Sequence, residues 1–170
     1  MPESSRIEDL RRRVQKDPAS IAFAQLAEEY RRAGQFESAI ETSRAGLATH
    51  PDYLSARVTL GRALLQLGRL AEAREELAIV LQTSPENLAA IRGLAEIHHQ
   101  QGALPEAIAT YERALMLAPN DPELERAVTE LNQALARSLN TTDREYARRE
   151  LAVMEQWLLA IHVSRAQSLS

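Results

Sequence analysis

Apolar residues in this chain keep two rhythms at once. Within short stretches they fall three and four apart: Phe23, Leu26, Ala27 and Tyr30, then Phe36, Ala39, Ile40 and Leu47. That spacing gathers them on one helical face, so residues 20–33 and 36–48 are predicted helices. Between stretches the same residue types return at a fixed interval of 34. Proline falls at Pro51, Pro85 and Pro119, glycine at Gly34, Gly68 and Gly102, and alanine at Ala39, Ala73 and Ala107. Further columns share the period: Ala22, Ala56 and Ala90; Leu26, Leu60 and Leu94; Leu47, Leu81 and Leu115.

Each period splits at its glycine. Gly34 suits the left-handed residue that ends a helix, and Pro51 blocks continuation of the second helix. The unit is therefore a pair of short antiparallel helices. Ala39, Ala73 and Ala107 are small where the paired helices approach closest. One pair cannot cover its own apolar faces, so neighbours must stack.

These columns resemble the tetratricopeptide repeat. Residues 20–53 supply Phe23, Leu26, Ala27, Tyr30, Ala39, Ser43, Gly46 and Pro51; residues 54–87 and 88–121 repeat the pattern. The departures are Ser43, Arg57 and His98, where larger apolar or aromatic side chains are usual. The resemblance implies an all-α, right-handed superhelical solenoid of antiparallel helix pairs. Three units occupy 20–53, 54–87 and 88–121. A capping helix within 1–19 precedes them, with Ile7, Leu10 and Val14 on its face and a capping box of Ser5 and Glu8.

After the third unit the phase breaks. Asp121-Pro122 reads as a helix start, and a partial-repeat or capping helix is predicted over 122–137, with Leu124, Val128, Leu131 and Leu135 inward. SLNTT at 138–142 reads as a turn. Thr142 and Glu145 offer a second capping box before a long amphipathic helix over 143–163, followed by a tail at 164–170. Tyr146, Leu151, Met154, Trp157, Leu158 and Ile161, with Val153, fall in an arc about 160° wide at 100° per residue. Something must cover that face: the end of its own solenoid, a partner or second copy in a homodimer, or a membrane. The mixed charge of its polar side argues against the membrane.

Composition narrows the chemistry. Of 170 residues, 28 are Ala and 24 Leu, which favours helix. Net charge is −4, which argues against a phosphate-neutralising nucleic-acid binder. There is no cysteine, hence no disulfide framework or thiolate chemistry. No glycine-rich phosphate loop, nucleophile elbow or His-Glu-x-x-His motif is present, so no enzyme, cofactor or metal is expected. His98 and His99 point about 100° apart on a helix and cannot easily share a metal; His98 is expected in the packed core. Glu72, Glu75 and Glu76 near Arg69 and Arg74 read as a solvated, paired face, and Arg11-Arg12-Arg13 as a solvated run diluted by Glu8 and Asp9. The N-terminus has no apolar signal region, and no run is long and apolar enough to span a bilayer, so the expected compartment is the cytoplasm.

The resemblance places the first helix of each unit on a concave surface. The residues implied to face a protein or peptide partner are Gln25, Glu28 and Arg32; Val58, Thr59, Arg62, Leu65 and Gln66; Arg92, Glu96 and His99; and Arg126 and Glu130. Ala24, Ala89 and Gly93 would let a ligand near the backbone. Arg92 with Glu96, and Arg126 with Glu130, are four apart and positioned to pair. The family's clamp for a terminal carboxylate would need Lys, Asn and Arg where this chain has Ala24, Glu28, Thr59, Ala89 and Gly93, so no such clamp is expected. The function implied is a non-catalytic interaction scaffold with a concave groove. The alternative is a self-assembling module that uses its last helix.

Overall fold

The structure, a computed structural model, describes residues 2–18 and 20–167; for residues 2–4, 147 and 157–167 only the backbone course is described. Eight α-helices and no strand occur among the described residues. The chain divides into two compact units, residues 1–128 and 129–170.

The first unit begins with α1 (Pro2–Lys16), then three hairpins: α2 (Ala22–Arg32) with α3 (Phe36–Thr49), α4 (Leu54–Gln66) with α5 (Leu70–Thr83), and α6 (Leu88–Gln100) with α7 (Leu104–Leu117). Within each hairpin the turn is the same. Gly34, Gly68 and Gly102 have φ of 73°, 71° and 73°, a conformation open to glycine and strained for other residues. The next residue's N–H reaches back over each turn: Gln35 to the Tyr30 carbonyl at 2.8 Å, Arg69 to Leu64 at 2.9 Å, Ala103 to His98 at 3.0 Å. The glycine column is thus the backbone requirement of one turn repeated three times.

Packing explains the other columns. Ala39, Ala73 and Ala107 are fully buried, as are Ala56 and Ala90. Leu77 on α5 is fully buried, and a Cβ built on Gly61 of α4 or Gly93 of α6 would sit 2.7 Å or 2.6 Å from its side chain. One leucine therefore locks two adjacent hairpins through two glycines. In the first hairpin, Phe23 covers Gly46, where a Cβ would meet the ring at 2.0 Å. Its ring stacks on His50, centroids 5.9 Å apart, and tilts against Tyr53 at 5.7 Å. Ser43 of α3 is fully buried, and its hydroxyl has no hydrogen-bond partner among the described residues. Arg57 stands where an apolar side chain is usual because it bridges elements: it donates to Glu76 of α5 at 2.7 Å and to the Pro51 carbonyl at 2.9 Å. The anticipated surface pairing joins Arg69 and Glu72 at 2.7 Å and extends across hairpins from Arg44 to Glu72 at 2.6 Å.

Three expectations are corrected. α1 begins at Pro2, so Ser5 lies inside the helix rather than at its start. His98 is half-buried, while its neighbour Ile97 is fully buried. The last two predicted helices are one: α8 runs Pro122–Gln167, 46 residues, through the expected turn at 138–142. Asp121 does cap its start, accepting from the Glu123 and Leu124 N–H groups at 3.0 and 3.3 Å. The expected turn fails because 123–167 contains neither Gly nor Pro. The hydroxyls of Thr141 and Thr142 bond back to the carbonyls of Arg137 and Ser138 at 2.9 and 3.0 Å, inside the helix rather than capping a new one.

In the second unit, Leu131 is buried, but every described side chain from residue 136 to 156 is exposed. Tyr146, Leu151, Val153 and Met154 are 66%, 60%, 63% and 61% exposed. Trp157, Leu158 and Ile161, expected on the same face, have side chains outside the described residues. Among the described residues, no helix is long and apolar enough to cross a membrane.

Candidate functional site

The first helices of the hairpins form one layer, α2 against α4 and α4 against α6. Two cavities open along this layer. One, about 480 Å³, is lined by Arg6, Ala24, Gln25, Glu28, Glu29, Arg32, Tyr53, Ser55, Val58, Thr59, Arg62, Asn87 and Ala89. The other, about 750 Å³, is lined by Arg62, Leu65, Gln66, Leu88, Ala89, Arg92, Gly93, Glu96, Tyr111, Glu123, Leu124 and Ala127. Arg62 and Ala89 belong to both, so the two form a continuous groove.

Charges in the groove are mostly consumed internally. At one end Arg6 meets Glu29 at 3.3 Å. Glu28 accepts from Arg31 at 2.7 and 2.9 Å, from Arg32 at 3.1 Å and from the Thr59 hydroxyl at 3.2 Å. The Arg31 hydrogen bonds outweigh burial and hold its carboxyl at about 2, far below the usual range. At the other end Arg92 donates to Asp121 at 2.9 Å and to Glu123 at 2.6 Å. Glu96 accepts from the Tyr111 hydroxyl and from Gln100, each at 3.0 Å. Burial, then the Glu96 charge, pushes the Tyr111 phenol upward, so it remains a neutral donor. The expected Arg92–Glu96 pair is thus replaced: Arg92 reaches the start of α8, and Glu96 is taken by Tyr111 of α7 and Gln100 of its own helix.

Arg62 differs from the other arginines here. Among the described residues it makes no hydrogen bond or ion pair. Burial and the positive charges of Arg31, Arg92 and Arg32 lower its pKa, opposed by Glu28.

The expected partner-facing residues sort into three groups. Gln25, Glu28, Arg32, Val58, Arg62, Gln66, Arg92 and Glu96 line the groove. Thr59 and Leu65 border it but are each 5% exposed; Thr59 serves Glu28 and Leu65 belongs to the core, because α4 turns this flank toward its neighbours. Gly93 borders it too, yet the direction a side chain would take is filled by Leu77. His99, Arg126 and Glu130 are exposed and line neither cavity. His99 ends up on the last turn of its helix, beyond the reach of the groove wall.

Sequence reasoning missed Arg6, Glu29, Tyr53, Asn87, Tyr111 and Glu123 in the lining, and Asp121 beside it. A signal existed for three. Tyr53, Asn87 and Asp121 stand 34 apart, each just before a first helix. Asn87 caps α6 by accepting from the Ala90 N–H at 3.0 Å. Among the described residues, no group of three or more His, Asp or Glu side chains could hold a metal ion.

Comparison with known proteins places the chain. Two tetratricopeptide repeat family models match, over residues 58–122 and 30–81. Protein CTR9 homolog of Arabidopsis thaliana is 35% identical over 68 residues, 40% of this chain and 6% of that protein. Bacteriophage adsorption protein A of Escherichia coli K12 is 29% identical over 99 residues, 58% of this chain and 10% of that protein. Tetratricopeptide repeat protein 8 of Caenorhabditis elegans is 29% identical over 102 residues, 60% of this chain and 20% of that protein. The chain spans a fifth or less of these relatives. Among solved structures, MamA 41-end from Desulfovibrio magneticus superposes with a TM-score of 0.72 at 15% identity, covering 83% of this chain and 80% of that one. The first repeat domain of Spaghetti (RPAP3), bound to the HSP90 peptide SRMEEVD, gives 0.65 at 22% identity, covering 70% of this chain and 94% of that one. With its glycine turns, buried alanine columns and stacked hairpins at a fixed interval, this chain belongs to the tetratricopeptide repeat family.

Proposed function

We propose that this protein is a non-catalytic interaction scaffold whose groove receives a peptide or helix of a protein partner. The groove carries the reading: two adjoining cavities of about 480 and 750 Å³ run along the layer of first helices. An elongated, shallow, charged wall suits a peptide better than a compact substrate. Its polar groups are chiefly arginine–carboxylate pairs, and the hydroxyls of Thr59 and Tyr111, each at most 8% exposed by residue, are spent on Glu28 and Glu96. A similar fold holding a peptide supports the class of ligand. The mode must differ, because Ala24, Glu28, Thr59, Ala89 and Gly93 supply no cation for a terminal carboxylate. A photo-crosslinker in place of Gln66 should capture partner from lysate, whereas one in place of exposed Glu75 on α5 should not. Equal capture from both positions would defeat the groove.

A second reading rests on its own observation. Tyr146, Leu151, Val153 and Met154 of α8 stay at least 60% exposed, an apolar face open to water. Self-association through this face would cover it. Sedimentation of the intact chain against Leu151→Glu plus Met154→Glu separates a dimer from a monomer.

A further inference from the structure

Resting on the groove reading, we propose that Arg62 is the anchor for a side-chain carboxylate of the partner, an internal Asp or Glu rather than a chain terminus. Four arginines line the two cavities: Arg6, Arg32, Arg62 and Arg92. Three have carboxylate partners within the protein, Arg6 with Glu29, Arg32 with Glu28 and Arg92 with Asp121 and Glu123. Arg62 has none among the described residues. The nearby carboxylates are engaged elsewhere: Glu28 accepts from two arginines and Thr59, and Glu96 accepts from Tyr111 and Gln100.

Position strengthens the argument. Arg62 is shared by both cavities, so a ligand lying along the groove passes it wherever it enters. Ala89, also shared, leaves room beside it. Arg62 is exposed in the groove and feels the positive charges of Arg31, Arg32 and Arg92, a repulsion that an incoming anion relieves. A planar fork takes a carboxylate through two parallel hydrogen bonds. A terminal carboxylate finds no clamp, because the positions that would supply its cations are apolar, neutral or, at Glu28, negative, and Arg31, Arg32 and Arg92 are already paired.

The test uses a random 12-residue peptide library displayed with blocked C-termini and selected on the full chain. Selected peptides should share an Asp or Glu at one position. They should bind Arg62→Gln about tenfold or more weakly and recover only in part on Arg62→Lys, which keeps the charge but not the planar fork. Free-terminus peptides lacking acidic side chains should not be selected in a parallel round. Far-UV circular dichroism verifies that each variant folds, and Val58→Trp and Ala89→Trp provide two separate blocks of the groove. Peptides lost on either tryptophan variant but indifferent to Arg62→Gln would overturn the anchor and leave the groove standing. Peptides indifferent to both tryptophans, or no selected peptides at all, would overturn the groove and the anchor with it.

Discussion

Residues 20–121 and residues 136–156 are both amphipathic helix, yet their apolar side chains meet opposite fates. In the repeats, Phe23, Leu60, Leu64, Leu77 and Ile91 are at most 2% exposed. On α8, Tyr146, Leu151, Val153 and Met154 are at least 60% exposed. Helical periodicity alone therefore does not say whether a face is covered. The repeats are covered because each hairpin's neighbour carries the same columns in register. The later part of α8 has left that register, so no matching face recurs at the repeat interval.

The contrast can be broken most directly by truncation. Leu77→Ala should cost about 2–5 kcal/mol in urea unfolding, because it opens space between two glycines that cannot fill it. Leu151→Ala should change stability by less than about 0.5 kcal/mol. A large loss for Leu151→Ala would mean that the face is covered after all, and a small one for Leu77→Ala would undo the account of the core.

Overfilling is the next largest effect. Gly46→Ala sets a methyl against the Phe23 ring, where a Cβ would stand 2.0 Å away. It should cost about 1–3 kcal/mol, read as a lowered Tm. Glycine turns and glycine contacts separate here. Gly34→Ala meets no atom within 4 Å, so its cost should come from backbone strain at a φ of 73°.

Acid should act on the repeats through Glu28. Its carboxyl falls from 4.5 to about 2 in the folded state, chiefly through Arg31. A depressed folded pKa gives stability that is fully present above pH 4.5 and is lost as pH falls toward 2. Because the group is partly solvated, roughly 1 kcal/mol is expected. Glu28→Gln should flatten unfolding against pH in that window; an unchanged slope would remove Glu28 as the cause.

The smallest effect is at Ser43, whose buried hydroxyl is unsatisfied among the described residues. Ser43→Ala should be neutral or stabilising by up to about 1 kcal/mol, since it removes a desolvated polar group without opening a large cavity. A clear destabilisation would mean the hydroxyl has a partner.

Legibility followed the range of the interaction. Pro51, Gly34 and Ala39 could be read because each answers a local demand: a stop, a left-handed turn, a close approach. The groove wall was partly legible, since Arg62, Arg92 and Glu96 lie on first helices at a fixed phase. Arg92's choice of Asp121 over Glu96 was not, because Asp121 lies 29 residues away and comes near only when hairpins stack. Leu65 and Thr59 misled for a related reason: α4 has neighbours on two sides, and a phase shared with solvent-facing residues does not reveal which flank a neighbour occupies. The turn expected at 138–142 came from residue types that favour caps, and Thr141 and Thr142 satisfied their hydroxyls along the helix instead.

By itself, the sequence determined the repeat, its helices, its turns and the residues that keep the hairpins close, because hydrophobic period and backbone stereochemistry act within a few residues. Tertiary structure decided which charges are spent across helices. Arg32 pairs with Glu28 on its own helix, but Arg6 and Arg92 find their carboxylates on other elements, and only stacking leaves Arg62 between two cavities without a carboxylate among the described residues.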